Sequence, residues 1–289
     1  MEHFRFCDAV RDNDILRASL NELTAATFGF DFQDWYAAGH WGDHYIPHVL
    51  LDGDKVVSNV SVSRMRFVID GVEKNYIQLG TVMTHKDYRG RGLNRQIMEQ
   101  IIARYTDHVD GVYLFANDSV LDYYSKFGFR KVTETEYYMP ARQFVSATPY
   151  QLVPAEPETL YTAVTAGKEN PNDGMYMSEN LGLYQFWCAA DFGGSIYAIP
   201  EADALVVADV EGKTLRIHQI ISSQIVDLKR LAASFGAEIE EVVFGFTPGN
   251  RKGLSCRPHR EENTTLFVIG EDLSRIESRQ LQFPVFSHA

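Results

Sequence analysis

Arg89-Gly90-Arg91-Gly92-Leu93-Asn94 stands between an apolar run, Ile77-Gln78-Leu79-Gly80-Thr81-Val82-Met83, and a stretch where Leu93, Ile97, Met98, Ile101, Ile102 and Tyr105 recur at the spacing of one helix face. The loop therefore joins a strand to a helix. Two glycines at the helix start let the backbone turn tightly, so several N–H groups point at one anion and the positive end of the helix dipole adds to the attraction. Arg89 and Arg91 supply full charges beside it. After the helix, Val112-Tyr113-Leu114-Phe115-Ala116 is an uninterrupted apolar run, the pattern of a strand covered on both faces. Strand, crossover helix and parallel strand put the loop at the carboxyl end of the first strand, where α/β proteins bind ligands.

The loop reads as a phosphate cradle, and two common phosphate ligands are disfavoured by missing residues. A dinucleotide fingerprint needs a third glycine near Arg95 and an acidic residue closing the second strand, where this chain has Ala116-Asn117. A Walker loop needs a Gly-Lys-Ser/Thr ending, which is absent.

Arg89-x-x-Gly92-x-Asn94 resembles the Arg/Gln-x-x-Gly-x-Gly/Ala signature of the GNAT superfamily of acyl-CoA-dependent N-acyltransferases, departing from it at Asn94. A second block, Asn117-Asp118-Ser119-Val120-Leu121-Asp122-Tyr123-Tyr124-Ser125-Lys126-Phe127-Gly128-Phe129, is similar to that family's Asn-x-x-Ala-x-x-Phe-Tyr-x-Lys-x-Gly-Phe element. The resemblance covers the first half of the chain. It implies acetyl-CoA as cofactor, held by Val82, Met83, Thr84, Arg89, Gly90, Arg91, Gly92, Leu93, Asn94, Asn117 and Tyr124. It further implies that a backbone N–H around Val82 to Thr84 faces the thioester carbonyl, that Asn117 meets the pantetheine arm, and that Tyr124 protonates the leaving thiolate. Tyr123 is expected to pack.

The chain has 289 residues, 45% of them hydrophobic, enough for one large core or two modest ones. The segment Met1 to Asp8 lacks a basic region followed by an apolar run, and no stretch is long enough to span a membrane, so a cytoplasmic protein without membrane contact is expected. Cys7, Cys188 and Cys256 are odd in number and far apart, which suggests neither a disulfide framework nor a metal site. A net charge of −12 argues against nucleic acid as a partner.

Asn13 or Asp12 can cap a first helix through Ile15, Leu16, Leu20 and Leu23. From Phe28 to Tyr45 the chain is dense in aromatics, among them Trp35, Tyr36 and Trp41, interleaved with Asp31, Asp34, His40, Asp43 and His44. Such a loop can hold an ammonium group by cation–π contact, or can be aromatic packing. Trp35, Tyr36 and Trp41 are the candidate substrate contacts. Asp52-Gly53 and Asp70-Gly71 mark hairpins that give a three-stranded meander leading into Ile77 to Met83. A further strand at Thr135 to Met139 would complete this sheet.

Prolines at 140, 149, 154 and 157 mark a linker. Beyond it, Ser195 to Ile199, Ala204 to Asp209 and Thr214 to Ile221 read as a second meander, followed by a helix from Asp227 to Phe235 and a strand from Glu241 to Phe246. The turn into that helix, Ser223-Gln224-Ile225-Val226-Asp227, has no glycine and places an anion where a phosphate would sit. The fold expected is α/β (α+β): a GNAT-like mixed sheet with a central strand-helix-strand cofactor unit over residues 1–145, then a second, degenerate GNAT-like domain over 146–289 that lacks the phosphate loop and ends in a C-terminal tail.

Acyl transfer to an amine also needs a base. Ile77 to Thr84 holds no carboxylate, which leaves Glu22, Asp34, His40 and His44, or the carboxyl group of Ala289 at the end of the apolar tail Phe283-Pro284-Val285-Phe286-Ser287-His288-Ala289. The two-part layout resembles in part the enhanced-intracellular-survival acetyltransferases, and that resemblance implies Ala289 in the active site. The function expected is N-acetyl transfer from acetyl-CoA to a small-molecule or peptidyl amine, its acceptor walls drawn from Phe28 to Tyr45, Gly167 to Gly182 and the tail; the alternative is a non-catalytic acyl-CoA-binding or sensing protein.

Overall fold

A computed structural model describes residues 4–167 and 169–289. Asn13 caps helix α1 (Asp14–Phe28), its side-chain oxygen accepting the Ile15 and Leu16 amides. Leu16, Leu20 and Leu23 face inward as expected, but Ile15 lies on the outer face and is 63% exposed. After the short helix α2 (Gln33–Ala37), both Asp-Gly pairs turn hairpins. Asp70 and Gly71 both have positive φ, the requirement of a tight two-residue turn.

The first sheet runs in the order β1 (Arg5–Cys7), β2 (Tyr45–Asp52), β3 (Lys55–Ile69), β4 (Val72–Thr84) and β5 (Gly111–Ala116), with helix α3 (Leu93–Tyr105) joining the parallel pair β4 and β5. Helix α4 (Leu121–Tyr124) and strand β6 (Arg130–Lys131) follow. β7 (Thr135–Pro140) does not complete this sheet. It pairs in the second one, because its register partners are the strand at 241–244 on one side and that at 255–258 on the other.

The second sheet contains β8 (Val153–Pro154), then, beyond helix α5 (Pro157–Thr165), β9 (Asp173–Glu179) and helix α6 (Leu181–Trp187), the meander β10 (Ile196–Ile199), β11 (Ala204–Glu211) and β12 (Thr214–Ile221). Helix α7 (Leu228–Ala233) crosses to β13 (Glu241–Phe244), which lies parallel to β12. Meander, helix and parallel strand thus occur twice, as the sequence pattern predicts. The pattern does not predict that strands change sheets. β9 takes over from β2 along the edge of β3, β14 (Thr247–Pro248) pairs with β9, and β16 (Thr265–Ile269) pairs with β5; β15 (Ser255–Pro258) joins β7 in the second sheet.

Strand alternation sends Val112, Leu114 and Ala116 toward α3 and Tyr113 and Phe115 toward the space between the sheets. Phe283 and Phe286 fill that space, Phe283 stacking on Tyr113 at 4.3 Å between ring centroids. The C-terminal tail is therefore core, not fringe. No described helix is long and apolar enough to cross a membrane.

Candidate active site

β4 and β5 are paired only at Tyr76–Gly111, Ile77–Val112 and Gln78–Tyr113, after which both strands continue without a described ladder between them. The wedge opens toward the phosphate-loop end of α3. A bulge against β3, between the pairs Ser61–Gly80 and Asn59–Met83, adds one residue to β4 there. Thr81, in the bulge, has φ 42°, costly for a β-branched residue. Buried polar groups hold it: Thr81 Oγ1 donates to Ser61 Oγ at 2.7 Å and shares a 2.8 Å bond with the Tyr45 hydroxyl, and Asn59 Nδ2 donates to the Thr81 carbonyl at 2.8 Å.

At the loop, Gly90 and Gly92 both have φ 75°, in the left-handed region, so the chain turns sharply into α3 with Gly92 as its N-cap. By helical geometry the first amides of α3 have no intrahelical acceptor and point out of its N-terminus. Arg89 is tied to the Thr84 carbonyl at 3.2 Å and Arg91 to the Asp87 carbonyl at 3.1 Å, which holds both guanidinium groups at the loop. Asn94 turns inward, its side-chain oxygen accepting from Ser58 Oγ, which also meets Thr84 Oγ1. That bond accounts for an amide where the family signature has a small residue: Asn94 pins the first turn of α3 to β3. These groups fit a pyrophosphate. In the second half, Asp227 fills the equivalent place with its own carboxylate, accepting the amides of Lys229 and Arg230 at 2.9 and 3.2 Å.

Val82 packs on the α3 side, Met83 is buried on the α1 side, and Thr84 closes the strand toward Arg89. Asn117 is exposed and caps the turn after β5, accepting from the Ser119 amide at 3.0 Å, so its carbonyl is used locally. Tyr124 is 4% exposed against Phe129 and Phe267, and burial pushes its phenol up to about 12. Tyr123 packs on Phe127, edge to face at 5.0 Å.

On the opposite face from α3, the last residues run along the wedge. The Ala289 amide donates to Gln78 Oε1 at 2.9 Å, and Gln78 Nε2 donates back to the Ala289 oxygen at 3.1 Å. Tyr113 Oη donates to the Ser287 carbonyl at 3.0 Å, Trp187 Nε1 to the His288 carbonyl at 2.8 Å, and the His288 ring stacks on Phe115 at 3.8 Å. Burial pushes the His288 imidazole down to about 3, so it is neutral at ordinary pH.

Ala289 and Thr81 open on a cavity of about 290 Å³, whose other walls are Phe28, Phe30, Phe32, Trp35, Tyr45, Leu183, Phe186, Trp187 and His288. Trp35 is the one candidate substrate contact on these walls. Trp41 lies behind it, stacked at 5.6 Å, and Tyr36 is covered by the Arg17 guanidinium at 3.6 Å, so neither lines the cavity. Glu22, Asp34, His40 and His44 are not on the walls either. His44 lines a different hollow, with Arg64, Arg66 and Arg104, at the far end of α3 from the glycine loop.

The region from Gly167 to Gly182, apart from Lys168, which lies outside the described residues, contributes only the Gly182 carbonyl, which accepts from Trp35 Nε1 at 2.9 Å. Leu183, Phe186 and Trp187, just beyond it, were not anticipated. Their i, i+3, i+4 spacing on α6 is the signal of a helix face, but not of what that face meets.

A family model described as an acetyltransferase (GNAT) domain matches residues 17–132, a span that contains the glycine loop and the Asn117 to Phe129 block. Over 92% of its length the chain is similar to a solved structure from Enterococcus faecalis V583, described as a probable N-acyltransferase, with 15% identity, a TM-score of 0.62 and 72% of that chain covered. A GCN5-related N-acetyltransferase from Kribbella flavida gives 15% identity and 0.61 over 92% of this chain and 70% of that one. Eis1 from Mycobacterium abscessus gives 13% and 0.57 over 91% and 73%. At these identities the likeness is one of fold. No curated protein matches the chain in sequence.

Proposed function

We propose, on the premise that residues 17–132 form an acetyltransferase domain of the GNAT family, that this protein transfers an acetyl group from acetyl-CoA to an amine. The observation that carries the reading is the convergence, at one wedge between β4 and β5, of the glycine loop at the N-terminus of α3, the bulge at Thr81 and a cavity on the other face. Bound with its pyrophosphate at the loop, acetyl-CoA would supply the activated acetyl thioester.

Gly90, Gly92 and the first amides of α3 receive the pyrophosphate, with Arg89 and Arg91 adding charge. Backbone N–H groups around Val82 to Thr84 donate to the oxygen on which charge develops, in a bulge already held by Asn59, Ser61 and Tyr45 and needing no rearrangement. The carboxyl group of Ala289, fixed by Gln78, takes the proton the amine must lose. Among the described residues, no Asp or Glu side chain lines the cavity to compete for that role. Tyr124 holds a proton at its Oη for the departing thiolate, and its raised pKa keeps it protonated through neutral and mildly alkaline pH.

The chemistry is tested by release of free thiol from acetyl-CoA in the presence of a panel of amines. Amine-dependent thiol release at stoichiometry with N-acetylated product is the expected result. Tight acetyl-CoA binding with no amine-dependent release would instead favour a sensing protein. Removing His288 and Ala289 and finding turnover unchanged would reject the role given to the tail.

A further inference from the structure

Among the described residues, the walls of the cavity beside Thr81 and Ala289 carry no Asp, Glu, Lys or Arg side chain. Most of their polar side-chain atoms are also spoken for. Trp35 Nε1 donates to the Gly182 carbonyl, Trp187 Nε1 to the His288 carbonyl, and the Tyr45 hydroxyl is shared between Thr81 and Ser61. The neutral His288 adds no charge, and its Nε2, which has no hydrogen-bond partner among the described residues, is shut away from the surface. What remains for a ligand is ring faces and aliphatic surface, with polar groups gathered at the one end where Ala289 and Thr81 sit. At the other end Phe28 and Phe30 are 47% and 39% exposed and stack on each other at 6.2 Å between centroids, so the mouth is aromatic too. A cavity of about 290 Å³ is roughly twice the volume that an engineered apolar cavity needs to take up benzene, room for one or two rings and a short chain.

We infer that the acceptor is a small aromatic monoamine: one or two fused rings buried among Trp35, Phe186 and Trp187, joined by a short alkyl chain to a single primary amine that reaches Ala289. This rests on the acetyl-transfer reading above and narrows it. An aminated sugar would leave several hydroxyls against ring faces with no partner, a cost that discriminates strongly, and a polyamine's second ammonium would exchange its water for ring faces alone, with no carboxylate side chain beside them among the described residues. An amine without a ring would forgo most of the apolar contact.

The test compares phenethylamine, tryptamine, ethylamine, spermidine and an aminoglycoside as acceptors, together with equilibrium binding of each amine and of acetyl-CoA. All three tryptophans of the chain stand on or directly behind these walls, so indole fluorescence reads occupancy without requiring turnover. Phenethylamine and tryptamine should exceed ethylamine by about 30-fold or more in kcat/KM, and spermidine and the aminoglycoside should fall below both aromatic amines. Phe28→Asp, at a half-exposed position that tolerates a polar group, should raise the spermidine to phenethylamine ratio about 10-fold by placing an anion at the mouth.

Equal or better use of spermidine or the aminoglycoside by the parent protein would overturn the inference while leaving acetyl transfer intact. If acetyl-CoA binds and no amine is acetylated, saturable quenching by phenethylamine still supports the inference and its absence overturns it. Failure to bind acetyl-CoA would overturn the acetyl-transfer reading alone, the quenching measurement again deciding the acceptor class.

Discussion

The Ala289 carbonyl carbon lies so near Gly80 that a Cβ added there would stand 2.9 Å from it, and closer still to the oxygen. No side chain can be accommodated at position 80 while the last residue keeps its place on Gln78. Gly80→Ala should therefore lift the tail from the wedge and lower kcat about 100-fold, the scale of an ångström-level misplacement of a reacting group. Acetyl-CoA affinity, set on the other face of the sheet, should change by less than about 3-fold. Stopped-flow thiol release and calorimetric binding measure the two quantities separately.

Arg89→Ala removes one guanidinium from the phosphate loop without touching the core. Its loss should weaken acetyl-CoA binding about 10-fold, the usual weight of a charge-assisted hydrogen bond, and should flatten the dependence of affinity on salt. Titration should give one acetyl-CoA per chain, because the Asp227 carboxylate already occupies the N-terminus of α7.

Tyr124→Phe deletes the proposed acid and little else, since the ring packs on Phe129 and Phe267 whether or not it carries a hydroxyl. We expect kcat to fall about 100-fold with the acetyl-CoA dissociation constant nearly unchanged. With its phenol pushed up to about 12 by burial, the parent enzyme should show no loss of this acid below about pH 10 in its rate profile. A descending limb near pH 8 that vanished in the Phe variant would count against the placement.

Glu134 is buried beneath the tail and accepts the Phe283 amide at 2.7 Å. Burial pushes its carboxyl up from 4.5 to about 7, outweighing the pull of His259. A raised folded-state value means that the folded protein binds this proton more tightly than the unfolded chain does. The stability it contributes is complete below about pH 4.5 and is lost as pH rises through 7, amounting to about 3 kcal/mol at most. Glu134→Gln keeps an acceptor for Phe283 and removes the titration, so the decline of Tm between pH 4.5 and 7 should be shallower than in the parent protein.

Local elements were legible because their causes are local. The Leu93 to Tyr105 periodicity, the Asp-Gly turns and the unbroken run from Val112 to Ala116 each dictate a conformation within a few residues. The pairing of strands was not. Thr135 to Pro140 alternates like any edge or interior strand, and nothing in its own residues says whether β5 or β13 will be its neighbour; that is decided by the fit of whole sheets. The cavity was half legible for the same reason. Phe28 to Tyr45 announces aromatic density, but Phe186 and Trp187, which close the space, lie some 150 residues further on, and their helical spacing carries no address. The tail was marked by its apolar composition, while Gly80, which makes room for it, looked like an ordinary strand glycine.

The trade of strands between sheets sets an order of events during synthesis. When β5 leaves the ribosome its outer edge has open N–H and C=O groups, and the strand that will cover them, Thr265–Ile269, is still about 150 residues from being made. For that interval the growing chain carries an apolar, unpaired edge, the kind of surface that recruits neighbouring chains. Slowing translation between residues 116 and 265 should raise the yield of aggregate more than the same delay placed after 269. Cutting the gene between β7 and β8 should leave each fragment with a gap that only the other fragment can fill.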